Sequence, residues 1–172
     1  TTVIYSANSD GTFDGYLYVG EDAAEHKFTD GPSWDVNWGD TGADGTLDLN
    51  GDNIVLGTAG VYRFNVDINA LTYSSLRTDW GIIGNATPGG WDNDTDMTYD
   101  QATGLWTIDV DLVGGNFVKF RANDAWDLNL GDDDSDSKME YGGADIPVVE
   151  SGNYTVTLDL TNAVYSYTLT KN

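Results

Sequence analysis

Apolar and polar residues alternate at every second position through much of this chain, the period of a β-strand with one buried and one wet face. Residues 13–19 (FDGYLYV) set Phe13, Leu17 and Val19 against Asp14, Tyr16 and Tyr18, and a little further on His26 and Phe28 share a face with Lys27 on the other. The same pattern or a short β-rich run predicts strands over 2–6, 53–56, 61–68, 71–76, 80–84, 97–99, 105–112, 117–121, 126–130, 146–149, 154–160 and 163–170. Gly, Asn and Asp clusters punctuate them as turns, with 40–51 as a long hairpin loop and 85–92 (NATPGGWD) as a loop displaying Trp91. No helical periodicity is long enough to name. Many short strands at close spacing predict an all-β chain folded as antiparallel β-sandwich.

The pattern repeats. At a constant offset of 92 positions, Lys27, Phe28, Trp34, Asp35, Asn37, Gly39 and Asp40 fall on Lys119, Phe120, Trp126, Asp127, Asn129, Gly131 and Asp132. Tyr62 and Tyr154, Val66 and Leu158, and Tyr73 and Tyr165 keep the same offset. Two tandem modules follow, 1–76 and 77–172, with 77–79 as the link between them. The first has no counterpart of residues 80–92, so it is expected to lack its N-terminal strand and to leave a sheet edge open. The expectation is that residue 1 marks a boundary of processing or observation and that the natural protein continues upstream.

Composition narrows the function. The 29 Asp and Glu against seven Lys and Arg give a net charge of −22, which offers no basic field for phosphates and excludes nucleic acid as a partner. No apolar run is long enough to span a bilayer. The absence of Cys removes thiol chemistry, and with His26 as the only histidine a nucleophile with an adjacent base is poorly supported. No acid lies in an apolar segment that would raise its pKa for general-acid work, so the chain reads as non-catalytic.

With so few cations, the pair Lys119 and Arg121, alternating with Val118 and Phe120, is expected to point outward together. Trp126 follows closely, with Asp127 and Asn129 adding hydrogen-bonding groups. A ring beside a few polar groups suits a sugar, whose C–H face stacks on an aromatic while its hydroxyls seek donors and acceptors. Trp34 and Trp126 recur in both modules, which leaves core and ligand roles both open for them. Trp38 stands where the second module has Leu130, so the fold does not demand a ring there and an exposed platform is expected. Trp91 on its Gly-Gly loop is read as a platform, with a ring folded back over the sandwich as the alternative. Trp80 and Trp106 read as core. Arg121 has a planar fork able to address two adjacent hydroxyls, and its first-module counterpart is Thr29. The spacings Asp92, Asp94, Asp96 and Asp132, Asp134, Asp136 can wrap a Ca²⁺ ion but lack the Gly and Glu of an EF-hand, so a solvated acidic loop is the better reading and no cofactor is expected.

WGIIGNATPGGWDNDTDMTYD, GLWTIDVDL and VKFRANDAWDLNLGD resemble, in that order, the repeated modules of the SusE/SusF family of outer-membrane glycan-binding lipoproteins. DGTFDGYLYVG and HKFTDGPSWDVNWGD look like the corresponding places of a variant module. The resemblance implies immunoglobulin-like or starch-binding-type β-sandwiches, displayed outward on the cell surface by an N-terminal lipid anchor that would lie upstream of this sequence, and holding glycans for an outer-membrane uptake complex. It further implies sugar contacts through one or two aromatic platforms with a Lys or Arg and an amide, which maps onto Trp34, Trp38, Lys27 and Asn37 in the first module and onto Trp91, Trp126, Lys119, Arg121 and Asn129 in the second. The acidic surface favours a neutral polysaccharide over a polyanion, and the resemblance tilts this to α-glucan. A structural or adhesion spacer, or an accessory domain of a carbohydrate-active enzyme, are the competing readings.

Overall fold

A computed structural model describes residues 2–172, and among them the regular elements are all strands. The chain divides into two compact units, Thr1–Arg77 and Thr78–Asn172.

The first unit contains β1 (Thr12–Val19), β2 (Glu25–His26), β3 (Phe28–Thr29), β4 (Asn37–Gly39), β5 (Asp48–Leu49), β6 (Ile54–Val55), β7 (Gly60–Asp67) and β8 (Thr72–Thr78). One sheet runs β1-β7-β8, and β1 and β7 pair antiparallel from Thr12 opposite Asp67 to Val19 opposite Gly60. Against it lie the sheet β3-β4-β5 and the short pair β2-β6. The alternation of β7 buries Tyr62, Phe64 and Val66, and Phe28 of the facing sheet meets both Phe64 and Tyr73 of this one. His26 is wedged edge-on between Phe28 and Phe64. Burial there pushes its imidazole below the usual pKa, so the ring sits in the core as a neutral aromatic.

The second unit contains β9 (Trp80–Gly84), β10 (Gly90–Asp96), β11 (Thr98–Asp100), β12 (Leu105–Leu112), β13 (Asn116–Ala122), β14 (Asn129–Gly131), β15 (Glu140–Tyr141), β16 (Ile146–Val148), β17 (Gly152–Asp159) and β18 (Ser166–Lys171). It is a β-sandwich of the sheet β10-β9-β13-β14-β15, with β16 also on β13, and the sheet β11-β12-β17-β18. Trp80, Ile82, Val118, Phe120, Val156 and Leu158 fill the space between, and Phe120 touches Tyr167 across it. Trp80 and Trp106 are core residues, as expected.

One device recurs in both units. The buried carboxylate of Asp40 accepts the backbone N–H groups of Asp44 and Gly45 and the hydroxyl of Tyr73. Asp132 does the same with Asp136, Ser137 and Tyr167. Each acidic loop is thus pinned to the opposite sheet by one carboxylate, which explains why these Asp residues repeat. Tyr167 takes the role of Tyr73 although the constant offset points to Tyr165, because the turn from β17 to β18 is longer than that from β7 to β8.

Several boundaries differ from the sequence reading. Trp91 lies inside β10 rather than on a loop tip, because an irregular register between Gly90 and Thr95 absorbs the polar run that looked like a turn. The link at 77–79 is mostly strand, since β8 ends at Thr78 and β9 starts at Trp80. Among the described residues the first unit has no counterpart strand of β9, β10 or β11, with only an isolated bridge of Tyr5 to Asp14 beside β1.

Candidate functional site

Strand β13 lies between β9 and β14, with Arg121 opposite Gly81 on one side and Asn129 on the other. This central place overturns the expectation that Lys119 and Arg121 point together into water. Arg121 is 5% exposed. Its Nη2 donates to Asp94 Oδ1 of β10 at 3.0 Å, and both side chains of this ion pair are almost wholly buried. Gly81 leaves room for the carboxylate, since a Cβ there would lie 2.7 Å from Asp94 Oδ2. Lys119 donates its Nζ to the backbone carbonyl of Gly143 at 2.6 Å and is also buried. It braces the loop after β15 and has no reach to a surface ligand.

The guanidinium of Arg121 lies 5.2 Å from the centre of the Trp126 ring, a cation–π contact. Trp126 is 46% exposed and its ring centre is 6.0 Å from that of Trp91, with the planes inclined at 40°. Asn129 donates Nδ2 to the carbonyl of Trp126 at 2.8 Å, which fixes the turn that carries the ring. A buried cation, its counter-ion and an amide therefore hold two indoles as a shallow angled surface on one edge of the second unit.

Burial alone would raise the pKa of Asp94, but hydrogen bonds from Arg121 and Asp124 outweigh it and hold the carboxyl below its usual range. Asp124 moves the other way, raised by its hydrogen bond to the negative Asp94 and by that charge itself. As pH falls the pair takes up its first proton at Asp124, while Asp94 stays charged for Arg121. Asp124 was not legible as part of the site, and Asp94 was legible only as one member of an acidic run, because nothing in sequence order shows that β10 lies beside β9, where the Asp94 side chain reaches past Gly81 to Arg121 of β13.

The first unit presents the same parts incompletely. Trp34 is 68% exposed, and Asn37 donates to its carbonyl at 3.1 Å and to Asn50 Oδ1 at 3.0 Å. Lys27 donates to Asn37 Oδ1 at 3.3 Å. Trp34, Asn37 and Lys27 thus do come together, but Thr29 stands in place of Arg121, Thr2 falls at the position of Asp94, and no described residue corresponds to Trp91. Trp38 is not an exposed platform. It is half-buried against the cluster of Leu47, Ile54 and Val66, opposite Phe28 in the sheet, so it fills the space that Leu130 fills in the second unit.

The acidic spacings read differently once folded. Asp132 spends its oxygens on two amides and a tyrosine, Asp136 on the backbone and ammonium groups of Lys138, and Asp94 on Arg121. Among the described residues no three acidic or histidine side chains converge as a metal cage. Asp92, Asp96 and Asp134 are exposed.

No protein-family model matches the chain, and no curated protein matches it. A solved structure that it resembles is SusF from Bacteroides thetaiotaomicron, at 15% identity and a TM-score of 0.41, over 98% of this chain and 44% of that one. The chain thus spans less than half the length of that structure. A likeness of this size carries no argument about function, which rests on the geometry above.

Proposed function

We propose that this protein binds glycans without catalysis, through the Trp91–Trp126 surface of its second unit. The observation that carries the reading is the pair of indoles, 6.0 Å apart and exposed at Trp126, braced from beneath by the buried Arg121–Asp94 pair. A hydrophobic core has no use for a half-exposed ring held by a buried ion pair, whereas a sugar's C–H face needs an immobile aromatic surface. The inclination of the rings suits a curved chain better than a flat one, and the charge of −22 favours a neutral glucan over a polyanion. Trp34 with Asn37 and Lys27 is a weaker second site, so a long chain engaging both would gain by avidity. In this reading the protein serves a Sus-like system that captures glycans at the outer surface of the cell.

The carboxylates support binding over hydrolysis. Asp94 and Asp124 share a hydrogen bond, which holds them closer than the roughly 5–9.5 Å separation that a glycosidase pair requires. The test is native affinity electrophoresis through gels containing amylopectin, laminarin, xylan, mannan or levan. The wild-type chain is expected to be retarded in a neutral-glucan gel, and Trp126→Ala and Trp91→Ala to run at the speed of a plain gel. Retention unchanged in both variants would refute the site, and no retardation in any gel would favour the spacer reading.

A further inference from the structure

We infer that Asn50 is a binding residue of the first unit, donating from its Nδ2 to a sugar oxygen beside Trp34. The inference rests on the glycan reading of the two units, and it names the hydrogen-bond polarity that the first one presents. It starts from a position where they differ. At the constant offset of 92, Asn50 stands where the second unit has Gly142. Each follows the short strand paired with the tryptophan-turn strand, β5 on β4 and β15 on β14. Each also takes a left-handed backbone, with φ of 59° at Asn50 and 70° at Gly142. Glycine adopts this conformation at no steric cost, so the turn itself asks for no side chain. Asparagine is one of the few other residues that tolerate it, and it adds an amide.

The orientation of that amide is forced by its neighbours. An ammonium can only donate, so Lys27 Nζ, 3.3 Å from Asn37 Oδ1, fixes which end of Asn37 is oxygen. Asn37 turns its Nδ2 to the carbonyl of Trp34 at 3.1 Å and to Asn50 Oδ1 at 3.0 Å. Asn50 spends its oxygen inward, and its free end is a donor. Its backbone N–H also donates to the carbonyl of Asn37 at 2.9 Å, so main chain and side chain hold it to the same residue. Asn50 is exposed, and among the described residues no protein group takes a hydrogen bond from its Nδ2. That donor is fixed before any ligand arrives, two hydrogen bonds away from the carbonyl of Trp34, whose ring is 68% exposed. Hydroxyl, ring and glycosidic oxygens of a sugar all accept, so an indole with a fixed N–H beside it suits a pyranose that stacks and accepts at its rim. In the second unit a Cβ at Gly142 would meet nothing within 4 Å, so that place has the room but not the donor.

The test uses the full chain and follows the indole N–H signals of Trp34 and Trp126 by NMR during titration with maltoheptaose, an α-glucan, and with laminariheptaose, a β-glucan. Asn50→Gly takes the residue of the second unit and loses both ends of the amide, whereas Asn50→Asp keeps an oxygen for Asn37 and loses only the donor. Both variants are expected to raise the dissociation constant read at Trp34 by about five- to tenfold, the worth of one hydrogen bond. The constant read at Trp126 is expected to stay unchanged. Full binding at Trp34 in Asn50→Asp would assign the amide to bracing Asn37 alone and overturn the inference, as would full binding in Asn50→Gly. A Trp126 signal that moves while Trp34 stays still overturns it as well, and leaves the second-unit surface standing. If neither ring responds to either glucan, the glycan reading falls together with it.

Discussion

The two units share a chain pattern but not a finished edge, and that difference separates what the repeat needs from what the binding surface needs. Both keep the carboxylate that pins the acidic loop, through Asp40 and Asp132. Both keep the amide that ties the tryptophan turn, through Asn37 and Asn129. Among the described residues only the second has the hairpin of β9 and β10, and only there does a guanidinium find a buried counter-ion beneath an indole. The fold therefore supplies the turn and the single ring, while the flanking hairpin supplies the second ring and the brace.

The sharpest way to break this comparison is to give the second unit the residue of the first. Arg121→Thr strands Asp94 as a buried unpaired charge, and the second unit is expected to lose about 3–5 kcal/mol. Urea denaturation followed through amide signals of each unit reads this directly, with the first unit unmoved. Adding Asp94→Ala is expected to recover part of the stability but none of the glycan retention, because the brace under Trp126 stays absent. Next in size is the contrast between the core phenylalanines. Phe120→Ala should cost about 3–5 kcal/mol as a fully enclosed ring, and Phe28→Ala distinctly less, since its ring is already partly wet. Equal losses in the two variants would mean that the edge of the first unit is as closed as that of the second.

The smallest expected effect is one of pH. The folded first unit holds His26 below its usual pKa because burial disfavours the cation. The unfolded chain then binds more protons as the medium acidifies, so this stabilisation is complete above about pH 6.5 and is lost as pH falls toward the lowered folded value. The second unit contains no histidine. The urea midpoint of the first unit alone should therefore decline between pH 7.5 and 5, and His26→Leu should flatten that decline.

Much of the architecture was legible because strands with one wet face alternate visibly, as in β1, β7 and β17, and because the repeat doubled each signal. The errors share a cause. Lys119 and Arg121 alternate with apolar residues just as surface cations do, and what covers them is distant in sequence: Asp94 and Trp126 over Arg121, and the Gly143 carbonyl over Lys119. Trp38 looked dispensable because its twin is Leu130, yet a larger ring serves the smaller core of the first unit. Trp126 could be placed near polar groups from sequence, but its neighbour Trp91 is distant along the chain and is brought in by the pairing of β10 with β9. Local periodicity carries no record of such a pairing.

The paired indoles also give the molecule an optical signature. Two π-systems with centres 6.0 Å apart and planes at 40° lie close enough for their electronic transitions to couple, so the second unit should show an exciton couplet in its circular dichroism. Trp80 and Trp106 are enclosed in the core, so a spectral change on adding a ligand comes from the exposed rings. Occupancy of the surface can then be followed with no label attached, by the light that the binding residues themselves absorb.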